Sequence, residues 1–179
     1  MGFAAHSGDV DESLRLKTLR LFRGLSECSP NDLTVVVGGY WGLMKDVVDI
    51  SLSLGLKALI LPPSELEHVN FPEGALVVKT GTSFRVRSVF MVRTSDVLVV
   101  LGGGAGCLQE LITAYTEGKP IYVLVKTGLP TDVAEGLPEY LDHRKLAPLK
   151  KFNDESELLK DLCGYLRSLK RPQAPSLHG

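Results

Sequence analysis

Short runs of branched apolar residues alternate with longer stretches whose apolar positions recur at helical spacing, and the alternation persists along almost the whole chain. Gly2 to Ala5, Leu33 to Val37, Lys57 to Leu61, Ala75 to Lys79, Val97 to Leu101, Ile121 to Val125 and Leu149 to Phe152 read as strands. Asp11 to Leu25, Leu43 to Leu54, Phe84 to Thr94, Cys107 to Glu117 and Asp154 to Leu169 read as helices. Leu14, Leu21 and Leu25 share one face of the first helix, and Met44, Val47, Val48 and Ser51 share one face of the second. Gly55 is a C-terminal stop, and Pro62-Pro63 ends the strand before it. A loop runs from there to Gly74. Acidic residues open the last helix, and Arg167 and Lys170 close it. Thr127 to Leu137 is turn-rich, and Pro138 to Asp142 is expected to make one helical turn.

Strands that alternate with helices predict an α/β fold, a three-layer sandwich with a mostly parallel sheet covered by helices on both faces. One domain is expected over residues 1–170, followed by a flexible tail over 171–179 that holds two prolines. Right-handed crossovers put every strand-to-helix turn on one edge of such a sheet, where its ligands bind. The turns near Ser7, Gly38, Thr80 and Gly102 should therefore share a rim.

Two of those turns are rich in glycine. Val35-Val36-Val37 runs into Gly38-Gly39-Tyr40-Trp41-Gly42, and Val97 to Leu101 runs into Gly102-Gly103-Gly104-Ala105-Gly106. A strand that ends in glycine and opens a helix offers unpaired N–H groups and the positive end of the helix dipole, and glycine lets an anion approach them. The expected cradle is Gly38, Gly39, Gly42, Gly103, Gly104 and Gly106, with the hydroxyls of Thr82 and Ser83 and the thiol of Cys107 at hand. No Gly-Lys-Ser/Thr follows either turn, so neither is a Walker loop. Gln109 stands where a dinucleotide fingerprint has its third glycine.

Composition narrows the function classes. A net charge of −1, with 44% hydrophobic and 23% charged residues, gives no basic surface for nucleic acid and no anionic-membrane footprint. No apolar run reaches the roughly 20 residues that span a bilayer. The first residues carry no signal-peptide pattern, so a cytoplasmic location is expected. Cys28, Cys107 and Cys163 are odd in number and far apart, which reads as three reduced thiols. Cys107 sits in the first turn after a glycine loop, where a helix N-terminus favours thiolate. Small-residue packing is the competing reading. His6, His68, His143 and His178 lack ligand spacing, so no metal is expected.

Arg87 stands one turn into its helix, near the strand-end rim, and Glu110 one turn into the next. The intervening strand Val97 to Leu101 returns the chain to the same rim, so topology brings both toward one pocket. On the pattern alone two readings stand. The pair serves a ligand, or Glu110 complements its helix dipole and Arg87 is a solvated surface residue.

The wider segment resembles the Rossmann-like family labelled "lysine-decarboxylase-like", which includes cytokinin-activating phosphoribohydrolases and molybdenum-cofactor carrier proteins. Its GGGxxGLM turn resembles Gly38-Gly39-Tyr40-Trp41-Gly42-Leu43-Met44, and its PGGxGTxxE turn resembles Gly102-Gly103-Gly104-Ala105-Gly106-Cys107-Leu108-Gln109-Glu110. The family's helix arginine maps to Arg87. The chain departs from the phosphoribohydrolases at Gly102 for Pro, Cys107 for Thr and Ser88 for Lys, and is closer to the carrier-like branch. No lysine stands where a pyridoxal cofactor would be held.

The resemblance implies a phosphate-ligand-binding protein with catalytic candidates Arg87 and Glu110. The implied reaction is hydrolysis of the N-glycosidic bond of a nucleoside 5′-monophosphate. The alternative is a non-catalytic molybdenum-cofactor carrier or nucleotide sensor. No cofactor is required, and the expected ligand is a nucleoside monophosphate or a molybdopterin-type molecule. The resemblance also implies a homodimer or higher homo-oligomer, with the helices Leu43 to Leu54 and Phe84 to Thr94 as the candidate contact.

Overall fold

The Val- and Leu-rich runs form seven strands: β1 (Gly2–Ala5), β2 (Thr34–Val37), β3 (Lys57–Ile60), β4 (Leu76–Val77), β5 (Leu98–Gly102), β6 (Ile121–Leu124) and β7 (Leu149–Phe152). Five α-helices join or follow them: α1 (Glu12–Cys28), α2 (Gly42–Ser53), α3 (Phe84–Thr94), α4 (Ala105–Thr116) and α5 (Glu155–Ser168). The structure, a computed structural model, describes residues 1–28 and 33–169, so the tail expected over 171–179 and Lys170 lie outside the described residues.

Every strand pair is parallel, in the order β4-β3-β2-β1-β5-β6-β7. The two-residue period of the strands splits the core in two. Val99 and Leu101 of β5 face a layer built from Leu21 and Phe22 of α1, Val47 of α2 and Leu162 of α5. Leu98 and Val100 face Met91 of α3 and Leu111 and Tyr115 of α4. Both sheet faces are thus covered, which is why the central strands read as unbroken apolar runs. This is the expected three-layer α/β sandwich, with a sheet that is wholly parallel among the described residues.

Local chemistry sets several ends. The Asp154 carboxylate accepts the Ser156 N–H at 2.8 Å and caps α5. Gly55, at φ +73°, terminates α2. The Arg15–Asp46 ion pair, 2.9 Å, joins α1 to α2.

Three expectations change. The strand read from Ala75 to Lys79 shortens to Leu76–Val77, because β4 is an edge strand with β3 as its only neighbour. The helical turn falls at Pro130–Gly136, a 3-10 segment started by Pro130, and residues 138–142 are irregular, with bends at 139–142. Cys28 and Cys163 are not reduced thiols but a disulfide across 135 residues of sequence. Helices α1 and α5 pack side by side, which brings the two Cα atoms to 6.1 Å, within the bonding range that spacing along the chain could not reveal.

The sheet order also locates the crevice. β2, β3 and β4 lie on one side of β1, and β5, β6 and β7 on the other. The chain reverses between β1 and β5, so the segments leaving those two strands diverge and open a cleft at their carboxyl ends.

Candidate functional site

A cavity of about 470 Å³ opens at that switch point, between His6 and Ser7 after β1 and Gly104 to Cys107 after β5. Arg87 and Ser88 of α3 and Glu110 of α4 form its floor, and Trp41 and Phe84 part of its wall. The rim inference is therefore realised for the turns at Ser7 and Gly102. Arg87 and Glu110, 23 residues apart, meet at 3.3 Å from Nη1 to Oε1.

Arg87 and Glu110 are 5% and 6% exposed, which removes the reading of Arg87 as a solvated surface residue. The Ser88 hydroxyl also donates to Glu110 Oε1, at 2.8 Å. Glu110 Oε2 takes no hydrogen bond from the described residues. Burial raises the Glu110 carboxyl above its ordinary range, against the pull of Arg87 and Ser88. Burial likewise lowers the Arg87 guanidinium, with Glu110 opposing. Arg87 Nε is buried with no partner among the described residues, so this cation is only partly satisfied by the protein.

The glycines divide by what fills the space beside them. A Cβ on Gly38 would lie 1.4 Å from Arg87 Nη1, and one on Gly39 would lie 2.2 Å from the Trp41 ring. A Cβ on Gly103 would lie 2.3 Å from Cys107 Sγ. Gly42, at φ +53°, lies against the backbone of Ser7 and Gly8, and the Leu43 N–H donates to His6 O at 2.9 Å. These four glycines admit the protein's own groups and hold the cleft together; they do not line it. Gly104 and Gly106 have open space beside them and line the cavity. The start of α4 is thus open to the cavity, and no acidic residue occupies its first turn.

Thr82 lies off the cavity, its Oγ1 2.7 Å from Thr80 Oγ1. Cys107 lines the cavity but is buried, and burial pushes its thiol up to about 12. Desolvation thus works against the thiolate that the helix N-terminus favours.

Sequence reasoning missed Thr131. Its hydroxyl accepts the Gly103 N–H at 2.9 Å while its own N–H donates to Gly103 O at 3.0 Å, fixing the glycine loop from below. Nothing local marks it, because the contact joins residues 28 apart. Arg85 was missed too. It lines the cavity, is exposed, and enters no ion pair among the described residues. The described residues hold no group of three or more His, Cys, Asp or Glu that could bind a metal ion, and no helix long and apolar enough to cross a membrane.

A wholly parallel sheet among the described residues, with its cleft at the β1/β5 switch, an open glycine turn and a buried Arg–Glu pair, defines a Rossmann-like α/β protein with a switch-point cavity. A family model described as the SLOG cluster4 family matches residues 25–152, and the chain belongs to that family. The crystal structure of TM1055, a structural-genomics target, is similar at 30% identity and TM-score 0.79, covering 90% of this chain and 96% of that one. The molybdenum cofactor binding protein of the phototrophic bacterium Rippkaea orientalis shares the fold at 18% identity and TM-score 0.71, over 93% of this chain and 96% of that one. The molybdenum cofactor carrier protein of Chlamydomonas reinhardtii does so at 17% identity and TM-score 0.70, with the same coverages. No curated protein matches the chain. The resemblance drawn from the two glycine turns and Arg87 holds at family level.

Proposed function

We propose that the cavity binds a nucleoside 5′-monophosphate and hydrolyses its N-glycosidic bond. The observation that carries this reading is the partly satisfied, buried Arg87–Glu110 pair on the same cavity as the open N-terminus of α4. The phosphate rests on the N–H groups of Ala105 and Gly106, with Arg85 as the free cation at the mouth. Arg87 offers its spare donors to the ribose hydroxyls.

Water adds to C1′ as the base leaves with the bonding electron pair, takes a proton, and leaves ribose 5-phosphate. Positive charge develops on the ribose ring in between. Glu110 stabilises that charge, and its raised carboxyl pKa suits it to orienting or deprotonating water.

Incubation with AMP, GMP, CMP and UMP, followed by chromatography, should show free base and ribose 5-phosphate. Glu110→Gln should cut kcat by about 100-fold or more while nucleotide binding persists. Arg87→Ala should weaken binding as well as rate. Base release that survives Glu110→Gln discards this mechanism.

One observation favours a second reading, a non-catalytic carrier or sensor. Glu110 Oε1 already accepts from both Ser88 and Arg87, as a purely structural carboxylate would. On that reading no monophosphate releases base, and mass spectrometry of the purified protein finds an intact nucleotide or pterin. A homodimer remains part of the proposal. A strictly monomeric mass by light scattering at micromolar concentration removes it.

A further inference from the structure

The cavity has a second, chemically different wall. Trp41, the chain's single tryptophan, is the extended residue that precedes α2. Its indole lies over Gly39, where an added Cβ would fall 2.2 Å from the ring. Phe84, the first residue of α3, meets it edge-on, with ring centroids 6.3 Å apart and planes at 72°. The two rings come from opposite layers of the sandwich and meet at the cleft with Met44 and Leu66 beside them. Phe84 remains 37% exposed.

An aromatic pair on a cavity wall offers a stacking surface at little entropic cost, because each side chain has only two χ angles to order. It has no use for a bare anion or a sugar phosphate. The remainder of the cavity has the opposite character, with the bare N-terminus of α4 and the Arg85 guanidinium. Stacking on aromatic side chains tolerates different rings, since every base presents a π-face.

We infer that Trp41 and Phe84 form an aromatic subsite that takes the planar heteroaromatic ring of a phosphate-bearing ligand. The first glycine turn is thus a ring platform, and only the second is an anion cradle. This rests on the proposed phosphate site and adds to it the two side chains that hold the ligand's ring and the wall of the cavity on which that ring lies.

Isothermal titration with AMP, CMP, 6-hydroxymethylpterin phosphate, ribose 5-phosphate and inorganic phosphate tests it. At least one ring-bearing phosphate should bind about 10-fold or more tighter than ribose 5-phosphate. Trp41→Ala should weaken that ligand by about 10-fold or more and leave ribose 5-phosphate within about 2-fold. Phe84→Ala, at an exposed position, and Gly39→Ala, which pushes the indole away, should act the same way, whereas Trp41→Phe should retain most of the affinity. Whether the base or the pterin binds better identifies the ring, and either preference supports the subsite. Equal affinities for ribose 5-phosphate and every ring-bearing phosphate overturn it, with the anion cradle intact. So do Trp41→Ala and Phe84→Ala that both leave the best ligand unchanged. If none of the five probes binds, the phosphate site and the subsite fall together.

Discussion

Gly38→Ala is the sharpest perturbation the geometry offers, because one methyl group meets one specific atom. The new Cβ would lie 1.4 Å from Arg87 Nη1 and 2.4 Å from Cζ, so the guanidinium cannot remain where it is. Gly38 is not in the left-handed region, so an alanine backbone suffers no conformational strain of its own. The displaced atom is the one that bonds Glu110, and the ion pair must open. Removing one partner of a buried ion pair costs about 3–5 kcal/mol because a charge is left uncompensated inside, and forcing this pair apart leaves its charges in the same condition. For a domain of this size each kcal/mol is worth about 2–4 °C, so Tm should fall by roughly 6–20 °C. The assay is thermal unfolding of four proteins: wild type, Gly38→Ala, Arg87→Ala and the double variant. With Arg87 already truncated, the added methyl has nothing to strike, and Gly38→Ala should then cost less than about 1 kcal/mol. Equal cost in both backgrounds, or a wild-type cost below about 1 kcal/mol, refutes the claim that Gly38 exists to admit Arg87.

Reducing the Cys28–Cys163 disulfide frees a loop of 135 residues, worth about 5 kcal/mol by chain entropy, so the urea midpoint should drop when reductant is added. An unchanged midpoint contradicts the cross-link. Ellman's reagent should find no fast-reacting thiol in the native, unreduced protein, since Cys107 is buried with its thiol near 12, and one thiol after unfolding. Gly104→Val fills open space at the cradle without a packing clash, so it should abolish AMP binding while Tm moves by less than about 2 °C. Retained binding would place the phosphate elsewhere.

The elements were legible in the chain because their signals are local. A run such as Val97 to Leu101 is apolar throughout because both faces of a central parallel strand are buried, and Asp154 caps its own helix two residues on. Alternation of strands and helices then implied a parallel sheet and its binding rim, and that rim brought Arg87 and Glu110 together before any contact was visible. What entered the space beside each glycine was decided only by the tertiary structure. A missing Cβ announces a close approach but not the group that makes it, and Arg87, Trp41 and the Cys107 thiol reach Gly38, Gly39 and Gly103 through the packing of α2, α3 and α4 on the sheet. The same holds for Ser88 on Glu110 and Thr131 on Gly103, contacts across 22 and 28 residues. The disulfide was invisible for the same reason, since only the packing of α1 against α5 sets two cysteines 135 residues apart within reach of each other.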